Sequence, residues 1–169
     1  LGAVVCSVTW PSRAMVNLIA MKPKEKGDGE RPIGLTNSTY RLWGQCRKDK
    51  VVAWEKVKAG HWDTAIRGSS ALRAAVWRAF KDEIATEDNL VRATVLWALT
   101  KFYDTIDLLR LVVAGVDMGY KPLPLCLSGQ MYLAPRYLRA SQCFDEGVVP
   151  YTGIVAGCGR AVRFTRIVL

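Results

Sequence analysis

Residues 14–35 read Ala-Met-Val-Asn-Leu-Ile-Ala-Met-Lys-Pro-Lys-Glu-Lys-Gly-Asp-Gly-Glu-Arg-Pro-Ile-Gly-Leu. An apolar run, 14–21, passes into a charged, glycine-bearing run, 22–30, and returns through Arg31-Pro32-Ile33-Gly34-Leu35. Strand-forming residues on both sides of Gly27-Asp28-Gly29 predict a β-hairpin that turns there. Pro32 has no N–H to give to a ladder, so the returning strand must be an edge or a bulge. Lys22, Lys24, Lys26 and Arg31 make the hairpin a cationic arm.

Downstream, the pattern turns helical over about 37–59, with Asn37 or Ser38 as the N-cap. Trp43, Arg47, Val51 and Trp54 recur at helical spacing and share a face, and Gly60 supplies a stop. A second helix is expected over 70–85, with Leu72, Ala75, Val76, Ala79 and Phe80 as its apolar stripe. Residues 91–99, rich in branched and aromatic side chains, predict a strand. After Asp104 the spacing of Ile106, Leu109, Val113 and Val116 predicts a helix ended by Gly119. Pro122 and Pro124 open another, to about Gln130. A strand over 131–140, a turn or hairpin over 143–150 and a helix from about Gly159 to Leu169 complete the chain. The fold class expected is α+β, a small antiparallel sheet with surrounding helices.

The chain has 169 residues, half of them apolar and 23% charged, enough for one domain with a real core and too apolar for disorder. It carries a net charge of +9, and the excess is uneven. Residues 1–81 hold 15 Lys and Arg against six Asp and Glu, whereas residues 82–169 hold nine of each. A basic half joined to a neutral half suggests a face for a polyanion on a neutral scaffold. Cys6, Cys46, Cys126, Cys143 and Cys158 are odd in number and widely spaced, against a disulfide framework or a zinc site. With His61 as the only histidine, His-based metal or triad chemistry has almost nothing to work with. A reducing intracellular compartment, cytoplasm or nucleus, is expected. Arg92, Lys101 and Asp104 break the longest apolar runs, so no membrane span is expected, and the first residues lack the basic region of a signal peptide. Nothing points to an oligomer. The chain begins without Met and ends within a helical pattern, so it reads as a fragment.

Three segments, in order, resemble one family. Lys22-Pro23-Lys24, then Arg31-Pro32-Ile33-Gly34-Leu35, then Tyr40-Arg41-Leu42-Trp43 resemble the fingers of reverse transcriptases of the non-LTR retrotransposon type. Thr100-Lys101-Phe102-Tyr103-Asp104 resembles the first palm motif, and Gly153-Ile154-x-x-Gly157-Cys158 the second. The resemblance implies a right-hand polymerase fragment, with fingers over 1–90 and a partial palm over 91–169. It implies an RNA-directed DNA polymerase, a nucleotidyltransferase, with an RNA/DNA primer–template and dNTP as partners and Mg²⁺ as cofactor. Carried over position by position, it places Lys24 and Arg31 on the phosphates of the incoming nucleotide. Tyr103 falls at the aromatic gate under the deoxyribose, and Gly157 where the backbone passes close to the new base pair. Lys22, Lys26 and Arg41 are candidate nucleic-acid contacts.

The departures bear on activity. The family places a metal-binding Asp at the position of Ala98, and alanine cannot ligate Mg²⁺. No Asp-Asp pair exists in the sequence, and Ala156 stands where the family commonly has Gln. Asp104 would become the ligand only in a register that loses the Lys-x-aromatic-Asp match. Asp104 and Asp107 are therefore expected to cap the following helix. No intact catalytic carboxylate and no well-held metal are expected. Two other readings compete: a non-catalytic basic module that binds nucleic acid with help from Trp43 and Trp54, and an interaction domain with a basic surface.

Overall fold

The structure, a computed structural model, describes residues 1–25, 28–60, 63, 70–94, 99–140 and 142–169. β1 (Asn17–Pro23) and β2 (Glu30–Thr36) form the expected hairpin, antiparallel from Asn17↔Thr36 to Pro23↔Glu30. Lys26 and Gly27 of its turn lie outside the described residues. The Lys24 N–H closes the turn on the Gly29 carbonyl at 3.1 Å, and Gly29 takes a φ of 113°, a conformation open to glycine. The strand order is β2-β1-β3-β4, so β2 is an edge, in keeping with Pro32.

The fold is α+β, with one small sheet among helices. The sheet is mixed, a correction to the antiparallel expectation. β1 runs parallel to β3 (Arg136–Ala140), with Asn17 opposite Arg136, and β4 (Cys143–Phe144) pairs antiparallel with β3. A long helical segment separates β1 from β3, and a crossover of that kind can return a strand parallel to the first. The sheet takes two strands from each side of residue 90. One buried cluster also spans both sides, from Trp10, Tyr40 and Trp43 to Leu127, Tyr132, Ile154 and Phe164. The segments 1–90 and 91–169 therefore share a sheet and a core.

The described helices are α1 (Gly2–Ser7), α2 (Ser38–Gln45), α3 (Lys48–Lys58), α4 (Ala71–Glu87), α5 (Phe102–Thr105), α6 (Leu108–Asp117), α7 (Pro122–Leu133) and α8 (Ala161–Val168). Asn37 caps α2, accepting from the Thr39 N–H at 2.8 Å. The single helix expected over 37–59 is broken at Cys46–Arg47. There the Arg47 N–H reaches back to the Gly44 carbonyl, and Arg47 leaves helical geometry with its guanidinium over the Trp43 ring. The stripe expected to bury α4 faces solvent: Leu72, Val76 and Phe80 are exposed, and Ala85 is the helix's buried residue. Residues 91–94 form no strand, so the strand expected over 91–99 is not seen where it can be described, and 95–98, with Ala98, lie outside the described residues. Residues 131–133 end α7, so β3 begins later than 131. Gly119 closes α6 with φ 73°, its N–H on the Val116 carbonyl and the Tyr120 N–H on Gly115.

The core gathers on α7, which buries Leu125, Leu127, Ser128, Met131 and Tyr132 around much of its circumference. Trp10 packs edge-on against Tyr40 and Trp43, with ring centroids 5.8 and 5.6 Å away, and donates its Nε1–H to the Leu127 carbonyl. Such pairs add about 0.5–1.5 kcal/mol each beyond area burial. Phe164 of α8 closes the cluster against Tyr120 and Tyr132. Among the described residues, no helix is long and apolar enough to cross a membrane. All five cysteines are free thiols.

The outer edge of β2 is partly covered: the Gly34 N–H donates to the Ala156 carbonyl at 3.0 Å. A Cβ on Gly34 would stand 2.8 Å from that oxygen and against the Val155 side chain. Gly34→Ala is therefore expected to push residues 155–156 off β2 and cost about 1–3 kcal/mol. Urea unfolding reads this as a lower midpoint at unchanged slope; a wild-type midpoint would show that this close packing does not occur.

Candidate functional site

The segment Gly153–Gly157 ties two distant parts of the chain together. At one end the Gly153 N–H donates to the Ile106 carbonyl and the Ile154 N–H to the Tyr103 carbonyl, both at 2.8 Å. A Cβ on Gly153, at φ 86°, would lie 2.9 Å from the Asp104 backbone, so glycine lets this contact close. At the other end sits the Gly34–Ala156 bond, and Gly157, at φ 95°, lies directly against the Gly34 backbone. The half-buried Arg136 guanidinium holds the segment from behind, donating to the Gly153 carbonyl at 3.2 Å. Loss of water lowers the Arg136 pKa, while the Asp104 carboxylate acts in the opposite direction.

Beside this segment a cleft of about 450 Å³ opens between β2, α2 and the start of α8. A volume of that order suits a small ligand or part of a larger one. Its described lining includes four cations, Arg41, Lys48, Arg160 and Arg163, and no acidic residue. Arg41 and Lys48 are exposed on the rim, and Arg163 is half-buried.

Arg160 is only 4% exposed. Its guanidinium lies over the Trp43 ring, 4.2 Å from the centroid, and 5.8 Å from that of Tyr40. One nitrogen, Nη1, donates to Ser128 Oγ at 3.2 Å, and Tyr40 Oη donates to the same oxygen at 3.0 Å. Cys158 Sγ, 3.3 Å from Tyr132 Oη and 3.7 Å from Tyr40 Oη, completes this buried polar group. Nη2 of Arg160 has no partner among the described residues. The neighbouring arginines differ. Arg166 pairs with both Glu55 and Asp63, and Arg163 Nε lies 3.1 Å from Glu55 in an ion pair that lacks hydrogen-bond geometry.

The predicted site residues are only partly brought together. Gly157 and Arg41 line the cleft. Lys22, Lys24 and Arg31 stand exposed on the hairpin, with Lys22 directly opposite Arg31 in the ladder, and none of them lines the cleft. Tyr103 is half-buried beside Phe102 and packs on the core, behind the Gly153 segment. Lys26, like Ala98, is outside the described residues. Asp107 caps α6, accepting from the Leu109 and Arg110 N–H groups at 2.8 and 3.0 Å. Asp104 lies within α5 and caps no part of α6. Among the described residues no group of three or more His, Cys, Asp or Glu could hold a metal ion.

Lys48, Arg160 and Arg163 were missed by reading the sequence. Lys48 falls in the middle of the single helix that the spacing predicts over 37–59. Arg160 and Arg163 fall in the half whose charges cancel, and only the fold carries them to the basic half. No protein-family model matches the chain, and no curated protein matches it significantly.

Burial raises the pKa of Tyr40, Tyr120 and Tyr132 above the usual 10.0. Their folded pKa values exceed the unfolded value, so the stability they confer is intact below about pH 10 and declines as the pH rises beyond it. Alkaline titration followed at the tyrosinate absorbance should show these three ionising only together with loss of helical circular dichroism. Ionisation of all six tyrosines near pH 10 with the helices intact would contradict this burial.

Proposed function

We propose that the chain is the fingers and first palm segment of a reverse-transcriptase-type polymerase of the right-hand fold, and that its basic cleft grips the phosphate backbone of an RNA/DNA primer–template. One observation carries the reading. Three of the elements that carry the family resemblance, the Arg-Pro-Ile-Gly strand, the Tyr-Arg helix and the glycine segment after Gly153, border one cleft with four cations and no described acid, while the first palm motif lies outside its lining. Lys24 and Arg31, on the hairpin that continues from the cleft wall, are the proposed contacts to the dNTP phosphates. The sequence has Ala98 at the expected metal-ligand position and no Asp-Asp pair, so binding without catalysis is proposed for this chain, with Mg²⁺ belonging to the intact family enzyme. Four exposed free cysteines suit a reducing compartment, cytoplasm or nucleus. A module that stacks bases on Trp43 and Trp54 is the weaker reading. Trp43 is fully buried, and Trp54 packs against Tyr120 with its Nε1–H on the Met118 carbonyl.

Anisotropy of a labelled primer–template tests this. The logarithm of the binding constant should fall with the logarithm of salt at a slope of about −3 to −4, and the double change Arg41→Ala with Lys48→Ala should flatten it by about two. Binding indifferent to salt, or to the double change, would sink the reading. The same chain should give no Mg²⁺-dependent primer extension, and extension above background would overturn the claim that binding is separated from catalysis here.

A further inference from the structure

Arg160, which flanks the start of α8, has no carboxylate partner among the described residues, unlike Arg163 and Arg166 within the helix, and it is the most buried cation of the cleft. We infer that Arg160 anchors a phosphate-binding site, in which one phosphoryl group sits between its guanidinium, the start of α8 and the rim cations Arg41 and Lys48. The inference rests on the reading of the cleft as a polyanion site and names the group that holds the anion.

A buried cation with an unsatisfied N–H is costly, because water no longer solvates it. Trp43 and Tyr40 stabilise the guanidinium through their ring faces, and Ser128 accepts from Nη1, yet Nη2, itself buried, has no acceptor among the described residues. The same side chain is the N-terminal flanking residue of α8, where no side chain caps the helix. The positive end of the helix dipole and the unsatisfied guanidinium thus favour the same guest, an anion. Gly157 and Gly159 line the approach, and a Cβ built on Gly159 meets nothing within 4 Å, so there is room for a group of several oxygens. A guanidinium held by its ring stack offers a fixed donor plane to phosphate oxygens, which a flexible ammonium does not. Arg163, tied to Glu55, contributes less. The phosphoryl group has two sources with one chemistry, a backbone phosphodiester and the phosphate of a free nucleotide.

Calorimetry at fixed ionic strength, with inorganic phosphate as the probe and acetate as the reference, tests the site. Saturable phosphate binding that acetate does not reproduce is expected, weakened about tenfold or more by Arg160→Lys and several-fold by Lys48→Ala. Lys121→Ala, on a distant helix start, should bind as wild type. No saturable phosphate binding, or wild-type affinity in a folded Arg160→Lys protein, overturns the inference. If Arg160→Lys does not fold, Lys48→Ala decides, and an unchanged affinity there overturns it. Parallel titrations with dTTP and with oligothymidylate identify the source by which of them loses affinity in the variants. Primer–template binding that keeps its full salt slope in a variant blind to phosphate would uphold the Arg160 phosphate site and overturn its use by the polymer backbone, leaving the free nucleotide as the source. Loss of salt dependence in the wild type would remove the polymerase reading first.

Discussion

The hydrogen bond from the Gly34 N–H to the Ala156 carbonyl is the contact on which the site depends. It joins an edge strand to a glycine segment more distant in sequence than any turn could bring near. An edge strand has outward N–H groups that need partners, and Pro32 on β2 already lacks one. A side chain at position 34 would occupy the space that Val155 and Ala156 fill. The rest follows in order: with residues 153–157 fixed against β2, the chain must turn at Gly157 and enter α8, and that turn places Arg160 over Trp43. Gly153 does the same work at the opposite end, against Tyr103 and Ile106.

Charge then decides what the cleft can hold. Arg160 flanks α8 and Arg163 and Arg166 follow within it at steps of three, each step shifting the position by about 60° round the axis, so the three meet different partners. Arg166 faces Glu55 and Asp63 in the interior and is neutralised there. Arg163 reaches Glu55 from the side. Arg160 meets aromatic rings and a serine hydroxyl, which lower the cost of burying its charge without cancelling it. The field of the cleft is consequently positive at its floor as well as its rim. Surface lysines alone would give only a rim charge, which salt screens readily.

Much of the fold was legible because it rests on local rules. The hairpin, the edge position of β2, the Asn37 and Asp107 caps and the stop at Gly119 all follow from residues that act on their own backbone. The break at Arg47 was not legible, since its spacing fits an unbroken helix and the cation over Trp43 is a tertiary contact. The parallel pairing of β1 with β3 depends on where the intervening helices send the chain. Apolar residues spaced as a stripe on α4 predicted burial, yet periodicity gives only a shared face and says nothing of whether a neighbour covers it. The site was half legible. Arg41 and Gly157, singled out through motifs, line the cleft, whereas a count of charge by halves concealed Arg160, because net neutrality along a segment does not imply neutrality at a point in space.

The carboxylates bear on the proposed separation of grip from chemistry. A two-metal polymerase site needs acidic groups left free to face a common point. Here Asp107 accepts from two helix N–H groups, and Asp145 accepts from the Leu138 and Gly147 N–H groups. Asp82 holds Arg92, and Glu55 and Asp63 hold the α8 arginines. Each of these acids already accepts from a donor of its own neighbourhood, the exposed ones at positions where water could take its place. The cations are arranged the opposite way, with Arg41 and Lys48 exposed and Arg160 incompletely satisfied. Acids held by their own elements, beside a cleft whose rim exposes Arg41 and Lys48 and whose floor buries Arg160, suit the anion site proposed above, whichever polymer or nucleotide brings the phosphate.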